Sequence, residues 1–135
     1  MSKIHKITIP SDPAKLEEVD TFAEDFIKEL PFSQDQRDDI AISISEAVNN
    51  AIEHGNAGDL SKQVNIELEA LKDSIKILVA DQGGGFNESE VADPTDPENL
   101  LAESGRGLLI IRHLMDEVNV SPGVEGTIIE LIKKF

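Results

Sequence analysis

Residues 46–56 read EAVNNAIEHGN. On a helix, Glu46 and Asn50 stand one turn apart, one above the other. A carboxylate in that place can act as a general base, or can orient water or a metal. An amide oxygen one turn on can ligate a hard cation such as Mg2+, which takes oxygen ligands and keeps several waters. The plainer readings are a solvated glutamate and a surface asparagine, although Asn is a poor helix former in that role. Asn49, Glu53 and His54 read as surface positions, with His54 favouring the helix dipole.

A second group is DQGGGFN at 81–87, directly after a hydrophobic run. Asp81 would sit at the end of a strand, and a buried carboxylate needs donors. An exocyclic purine amine is one candidate donor and a turn amide is the other. Gly83, Gly84 and Gly85 let the backbone approach a flat ligand and adopt positive φ. A third group is ESGRGLLIIRHL at 103–114. Gly105 and Gly107 read as a helix N-terminus, whose free N–H groups and dipole suit a phosphate. Arg106 can add positive charge there, whereas Arg112 reads as a surface residue. Thr127, after Gly126, opens the last strand, and its hydroxyl is either structural or within reach of a bound base through water.

The elements that must position these residues can be traced along the chain. Residues 3–9, KIHKITI, alternate and end at Pro10, which predicts a strand. Ser11 is expected to cap a helix with Pro13 in its first turn, and Leu16, Val19, Phe22, Phe26, Ile27 and Leu30 recur at helical spacing. Ser33 and Gln36 resemble a capping box for a helix from Gln34 to His54, stopped by Gly55 and Gly58. In that helix Ile40, Ile44, Ala47, Val48 and Ala51 form the apolar arc, so the Glu46–Asn50 row borders the core. Residues 62–71 and 74–81 predict a hairpin. Residues 82–104 read as a long polar loop, a length that suits a functional lid. A helix over 105–118, a turn at NVSPG and a strand over 124–134 complete a single domain, 1–135.

Composition bounds what such a site can serve. The chain has 135 residues, no cysteine and a formal net charge of −15. Disulfide and thiolate chemistry are excluded. A phosphate backbone is repelled by that charge, so direct nucleic acid binding is not expected. An acidic face suits a basic protein partner. MSKIHKITIP has no apolar run of signal-peptide length, and no segment reaches a membrane span, which predicts a cytoplasmic location.

In chain order, a carboxylate–asparagine helix, a strand ending in DQGGGF, a long loop, the SGRGLL helix and a Gly-Thr strand resemble the GHKL superfamily, the ATP-binding domains of gyrase, heat-shock chaperones, histidine kinases and MutL. SEAVNNAIEHG and GRGLLIIRHLMDEV are especially similar to the anti-sigma-factor serine/threonine kinases of bacteria. The resemblance covers nearly the whole chain. It implies the Bergerat fold, an α/β (α+β) two-layer sandwich with a mixed, mostly antiparallel sheet and helices on one face. It implies that Asn50 binds Mg2+ on the ATP phosphates and that Glu46 is the general base. Asp81 would accept from the adenine amine, joined through water by Thr127, while Gly83 and Gly85 admit the base. Residues 87–104 would be the lid. Gly105, Arg106 and Gly107 would hold the phosphates, with Leu108 starting the helix.

The reaction implied is phosphoryl transfer to a serine or threonine of an anti-anti-sigma (STAS-domain) protein, with a sigma factor as a further partner and a homodimer as an assembly common among relatives. The alternative is a non-catalytic module that sequesters a sigma factor or STAS protein, with ATP as a conformational ligand. A histidine-kinase catalytic domain ranks lower, since too little chain precedes Ser33 for an acceptor hairpin. One departure bears on the sigma factor: some sigma-binding relatives carry arginine where this chain has Glu103.

Overall fold

The computed structural model describes the backbone of residues 3–83 and 103–135, and side chains over 4–83 and 107–135. The strand β1 (Lys3–Pro10) is followed by a 3-10 turn (Pro13–Lys15) and the helix α1 (Leu16–Ile27). The cap of this segment is Asp12, whose side chain accepts from the Ala14 N–H at 3.0 Å. Ser11, expected as the cap, is instead buried and donates to the Lys62 carbonyl at 2.9 Å. The helix α2 (Gln34–Asn50) begins with the expected capping box between Ser33 and Gln36. It then widens into one π-helical turn, Ala51–Gly55.

The strands β2 (Gln63–Ala70) and β3 (Ser74–Ala80) form the expected hairpin. The helix α3 (Glu103–Leu114) leads into β4 (Glu117–Pro122) and β5 (Thr127–Lys134). The helix expected over 105–118 therefore starts earlier and stops sooner. Glu103 and Ser104, assigned to the loop by sequence, are helical. Leu108 lies well inside α3 and does not start it. Residues 117–122, expected as helix end and turn, pair with β5, placing Val118 opposite Leu131 and Val120 opposite Ile129. The unpaired edge of β5 decides the matter, because its N–H and C=O groups find partners only in an adjacent strand. The Lys133 ammonium closes α3 by donating to the Leu114 carbonyl at 2.6 Å.

The sheet order is β1-β2-β3-β5-β4, and all four pairings are antiparallel. Alternation sends Val64, Ile66, Leu68, Ile75, Ile77, Val79, Ile129 and Leu131 to one buried face. The helices cover that face, with α2 packed between α1 and α3. Val19, Ala23, Phe26 and Ile27 of α1 and Ile40, Ile44, Ala47 and Val48 of α2 supply the opposing surface. The π-turn keeps this stripe going with Ala51 and Ile52. The other sheet face carries cross-strand polar pairs, Lys6–Glu67 at 2.9 Å and Lys76–Glu69 at 3.3 Å. The result is the two-layer α+β sandwich expected from the sequence. Among the described residues, no helix is long and apolar enough to cross a membrane.

Candidate nucleotide site

Asp81 follows the last residue of β3 and is buried. Its Oδ1 accepts from the Gly83 N–H and from the Thr127 N–H, each at 3.0 Å. Its own N–H donates to the Thr127 carbonyl at 3.0 Å. The turn amide considered from sequence is thus one of two protein donors among the described residues, both on the same oxygen. Such donors offset the cost of burying a carboxylate.

Three glycines crowd this carboxylate. A methyl group added to Gly55 would overlap Asp81 Oδ2, and one added to Gly126 would overlap Asp81 Oδ1. One added to Gly83 would overlap the Gly55 carbonyl. The end of β3, the start of β5 and the π-turn after α2 meet because none of the three carries a side chain. This changes the meaning of Gly55, which the sequence suggests as a helix stop. Gly55 is still helical, and the chain turns at Ala57 and Gly58, where φ is 52° and 70°. The Gly58 N–H closes the turn on the Ile52 carbonyl at 2.8 Å.

Glu46 and Asn50 are both half-buried in the second half of α2. A methyl group on Gly107 would come within 3.3 Å of Glu46 Oε2, so the first turns of α3 face the α2 carboxylate. Asn50 makes no side-chain cap bond to the π-turn that follows it. The π-turn that continues α2 is therefore flanked by Asp81 and Gly83, and Gly107 lies beside Glu46 of α2 itself.

Gly105 and Arg106 lie in the first turn of α3 by their backbone. With Glu103 starting the helix, the described N–H groups without an intrahelical partner are those of 103–105. The Gly107 and Leu108 amides fall beyond that set, and Leu108 packs half-buried on the core. Gly85 and most of the expected lid, 87–102, lie outside the described residues. Asn49 is half-buried, while Glu53, His54 and Arg112 are exposed, as their surface reading requires.

Sequence reasoning missed Asn56 and Gln82. Asn56 is buried and binds through both ends of its amide. Its Nδ2 donates to Ser11 Oγ at 2.7 Å and to the Gln63 carbonyl at 3.0 Å, and its Oδ1 accepts from the Gln82 N–H at 2.7 Å. The Gln82 side chain accepts from the Gln63 N–H and donates to Glu125, each at 2.6 Å. The only sequence signal was a polar residue directly after a helix-ending glycine, which reads as an ordinary loop.

The donor set fits a cation that shares its coordination with phosphates and water. Among the described residues, no cluster of three or more His, Asp or Glu could hold a metal by protein ligands alone. Asn50 presents one hard amide oxygen, which suits Mg2+ sharing its remaining positions with phosphates and water.

Comparison with known proteins identifies the family. Residues 9–133 match the family model of the histidine kinase-like ATPase domain. A serine-protein kinase RsbW from Bacillus licheniformis is 35% identical over 97 residues, covering 67% of this chain and 61% of that one. The chain thus spans about three fifths of the length of that relative, 61%. An anti-sigma F factor from Anoxybacillus flavithermus is 39% identical over 113 residues, covering 80% of this chain and 76% of that one. Among solved structures, the RsbU and RsbW domains of a Mycobacterium tuberculosis protein match 98% of this chain and 32% of that one. Their TM-score is 0.70 at 22% identity, a likeness of fold. The chain belongs to the histidine kinase-like ATPase domain family, within its branch of RsbW-type serine-protein kinases and anti-sigma factors.

Proposed function

We propose that this chain is an ATP-dependent serine/threonine protein kinase acting as an anti-sigma regulatory factor, with a STAS-domain anti-anti-sigma protein as its substrate. The observation that carries this reading is the double contact along α2 and its π-turn: Gly55 against Asp81, and Gly107 against Glu46. A base-reading acid and a general base are thereby anchored to one helix, with Asn50 between them. The relatives named serine-protein kinase and anti-sigma F factor support the same reading.

The roles proposed are those that the family resemblance implies. Asp81 Oδ2, the oxygen not used by Gly83 and Thr127, accepts from the adenine amine. The N–H groups at the start of α3, with Arg106, hold the phosphates. Asn50 holds Mg2+, which when bound neutralises phosphate charge. Glu46 takes the proton of the partner's hydroxyl as that oxygen bonds to the γ-phosphorus. The bond from that phosphorus to the β–γ bridging oxygen breaks, and ADP leaves. Such transfer depends on positioning and charge more than on covalent chemistry. The proposal includes a cytoplasmic location, a homodimer and a sigma factor as second partner.

The test is incubation with γ-labelled ATP, Mg2+ and a STAS-domain protein. Label is expected on a serine or threonine of the partner. Glu46→Ala is expected to cut transfer by about 10²–10⁴-fold while ATP still binds, the usual worth of a general base. A partner that stays bound but unlabelled would identify a sequestering module instead. Transfer that survives Glu46→Ala would remove Glu46 from the base role.

A further inference from the structure

We infer that Asn56 is a positioning residue for nucleotide recognition: it sets the distance between the metal-binding end of α2 and the base-reading Asp81. The inference rests on the kinase reading and goes beyond it. Asn56 itself does not touch the proposed ligand sites. It follows the π-turn that begins one residue after Asn50, and its own N–H closes that turn on the Ala51 carbonyl at 2.8 Å. Its Oδ1 accepts from the N–H of Gln82, the residue between Asp81 and Gly83. One side chain thus ties the last turn of the Glu46–Asn50 helix to the peptide that carries the base-reading carboxylate.

The amide orientation is dictated by the partners. The Gln63 carbonyl can only accept and the Gln82 N–H can only donate, so Nδ2 must face Gln63 and Oδ1 must face Gln82. Aspartate would lose both donors, and alanine would lose all three bonds. Asn56 is 1% exposed, so water does not replace those bonds readily. The second donor bond reaches Ser11 Oγ, which in turn donates to the Lys62 carbonyl. That branch ties the residue after β1 to the residue before β2. The two branches separate positioning from stability.

The experiment measures Mg2+-ATP and Mg2+-GTP affinity by calorimetry, with thermal unfolding, for the wild-type chain, Asn56→Ala, Asn56→Asp and Ser11→Ala. ATP is the base-matched probe, and GTP presents a carbonyl where adenine has its amine. Asn56→Ala is expected to weaken ATP roughly ten- to a hundredfold, the scale of losing one hydrogen bond to a charged group. GTP affinity should change little, so the ATP/GTP ratio collapses. Asn56→Asp keeps an oxygen for the Gln82 N–H and should retain most of the ratio while losing stability. Ser11→Ala should lower the unfolding temperature and keep the ratio. If Asn56→Ala does not fold, Asn56→Ser, too short to span the three partners, takes its place in the same measurement. An unchanged ratio in the variant that has lost the Gln82 bond would overturn the inference and leave the kinase reading standing. A wild-type chain that binds no ATP would overturn both.

Discussion

Gly55 and Asp81 lie so close that a methyl group on the glycine would overlap the carboxylate oxygen Oδ2. This contact closes the α2 end against the sheet. Gly55→Ala is expected to destabilise the fold by about 1–3 kcal/mol, the usual cost of overpacking. It should also remove ATP binding, because Asp81 must move. Gly58 is the control. It has φ of +70° and nothing within 4 Å of an added methyl, so Gly58→Ala carries only the conformational cost, about 1 kcal/mol. Urea unfolding and ATP titration of both variants check the pair. Equal losses of binding would refute the role given to Gly55.

Asp81→Asn should leave the fold intact and weaken ATP. Its single amide oxygen still accepts from Gly83 and Thr127, and its NH2 then occupies the position that faces the adenine amine in the proposed site. Two donors would meet there. The expected loss is about 2 kcal/mol, the scale of a hydrogen bond to a charged group. Calorimetry with ATP, alongside circular dichroism, reads both halves of the expectation; unchanged affinity would remove Asp81 from the base contact.

Ala57→Gly should stabilise the protein. Ala57 has φ of 52°, a left-handed conformation that its Cβ disfavours. Glycine relieves that strain but gains more freedom in the unfolded chain, which leaves a net gain of about 0.5–1 kcal/mol. The residue is exposed, so no packing term intervenes. A lower denaturation midpoint would show that the αL strain is not the governing effect.

Asp59 provides a pH-dependent marker for the same turn. The Ser61 hydroxyl, first, and the Ser61 N–H hold its carboxyl below the usual aspartate range. The Ser61 contacts are 2.6 Å and 2.9 Å. A carboxyl whose pKa is lowered on folding contributes stability above its unfolded pKa. That contribution is lost as pH falls through the folded value. Ser61→Ala should therefore raise the pKa of Asp59 in an NMR titration. Identical titration in the two proteins would exclude this hydrogen-bonded turn.

Much of this architecture was legible in the chain itself. Ser33 with Gln36, the alternation of β1, β2 and β3, and the apolar arc through Ile40, Ile44, Ala47 and Val48 report local periodicity and capping, which neighbouring residues decide. Glu46, Asn50 and Asp81 stood out because they interrupt apolar runs with polar groups that need a reason. What failed was non-local. β4 was hidden because Val118 and Val120 extend the apolar run of α3, and only the free edge of β5 makes them a strand. Asn56 and Gln82 carry no periodic signal, since their importance lies in partners from Ser11 to Glu125.

Local chemistry written in the sequence thus determined the element types, the capped helix and the polar row on it. Tertiary packing alone decided that Gly55 is a contact and not a stop, that α3 begins at Glu103, and that Asp81 spends one oxygen on Gly83 and Thr127. The physical reason is the range of the forces involved. Helical and strand periods depend on residues a few positions apart, whereas the closeness of two backbones and the pairing of a buried carboxylate depend on segments that only the folded chain brings together.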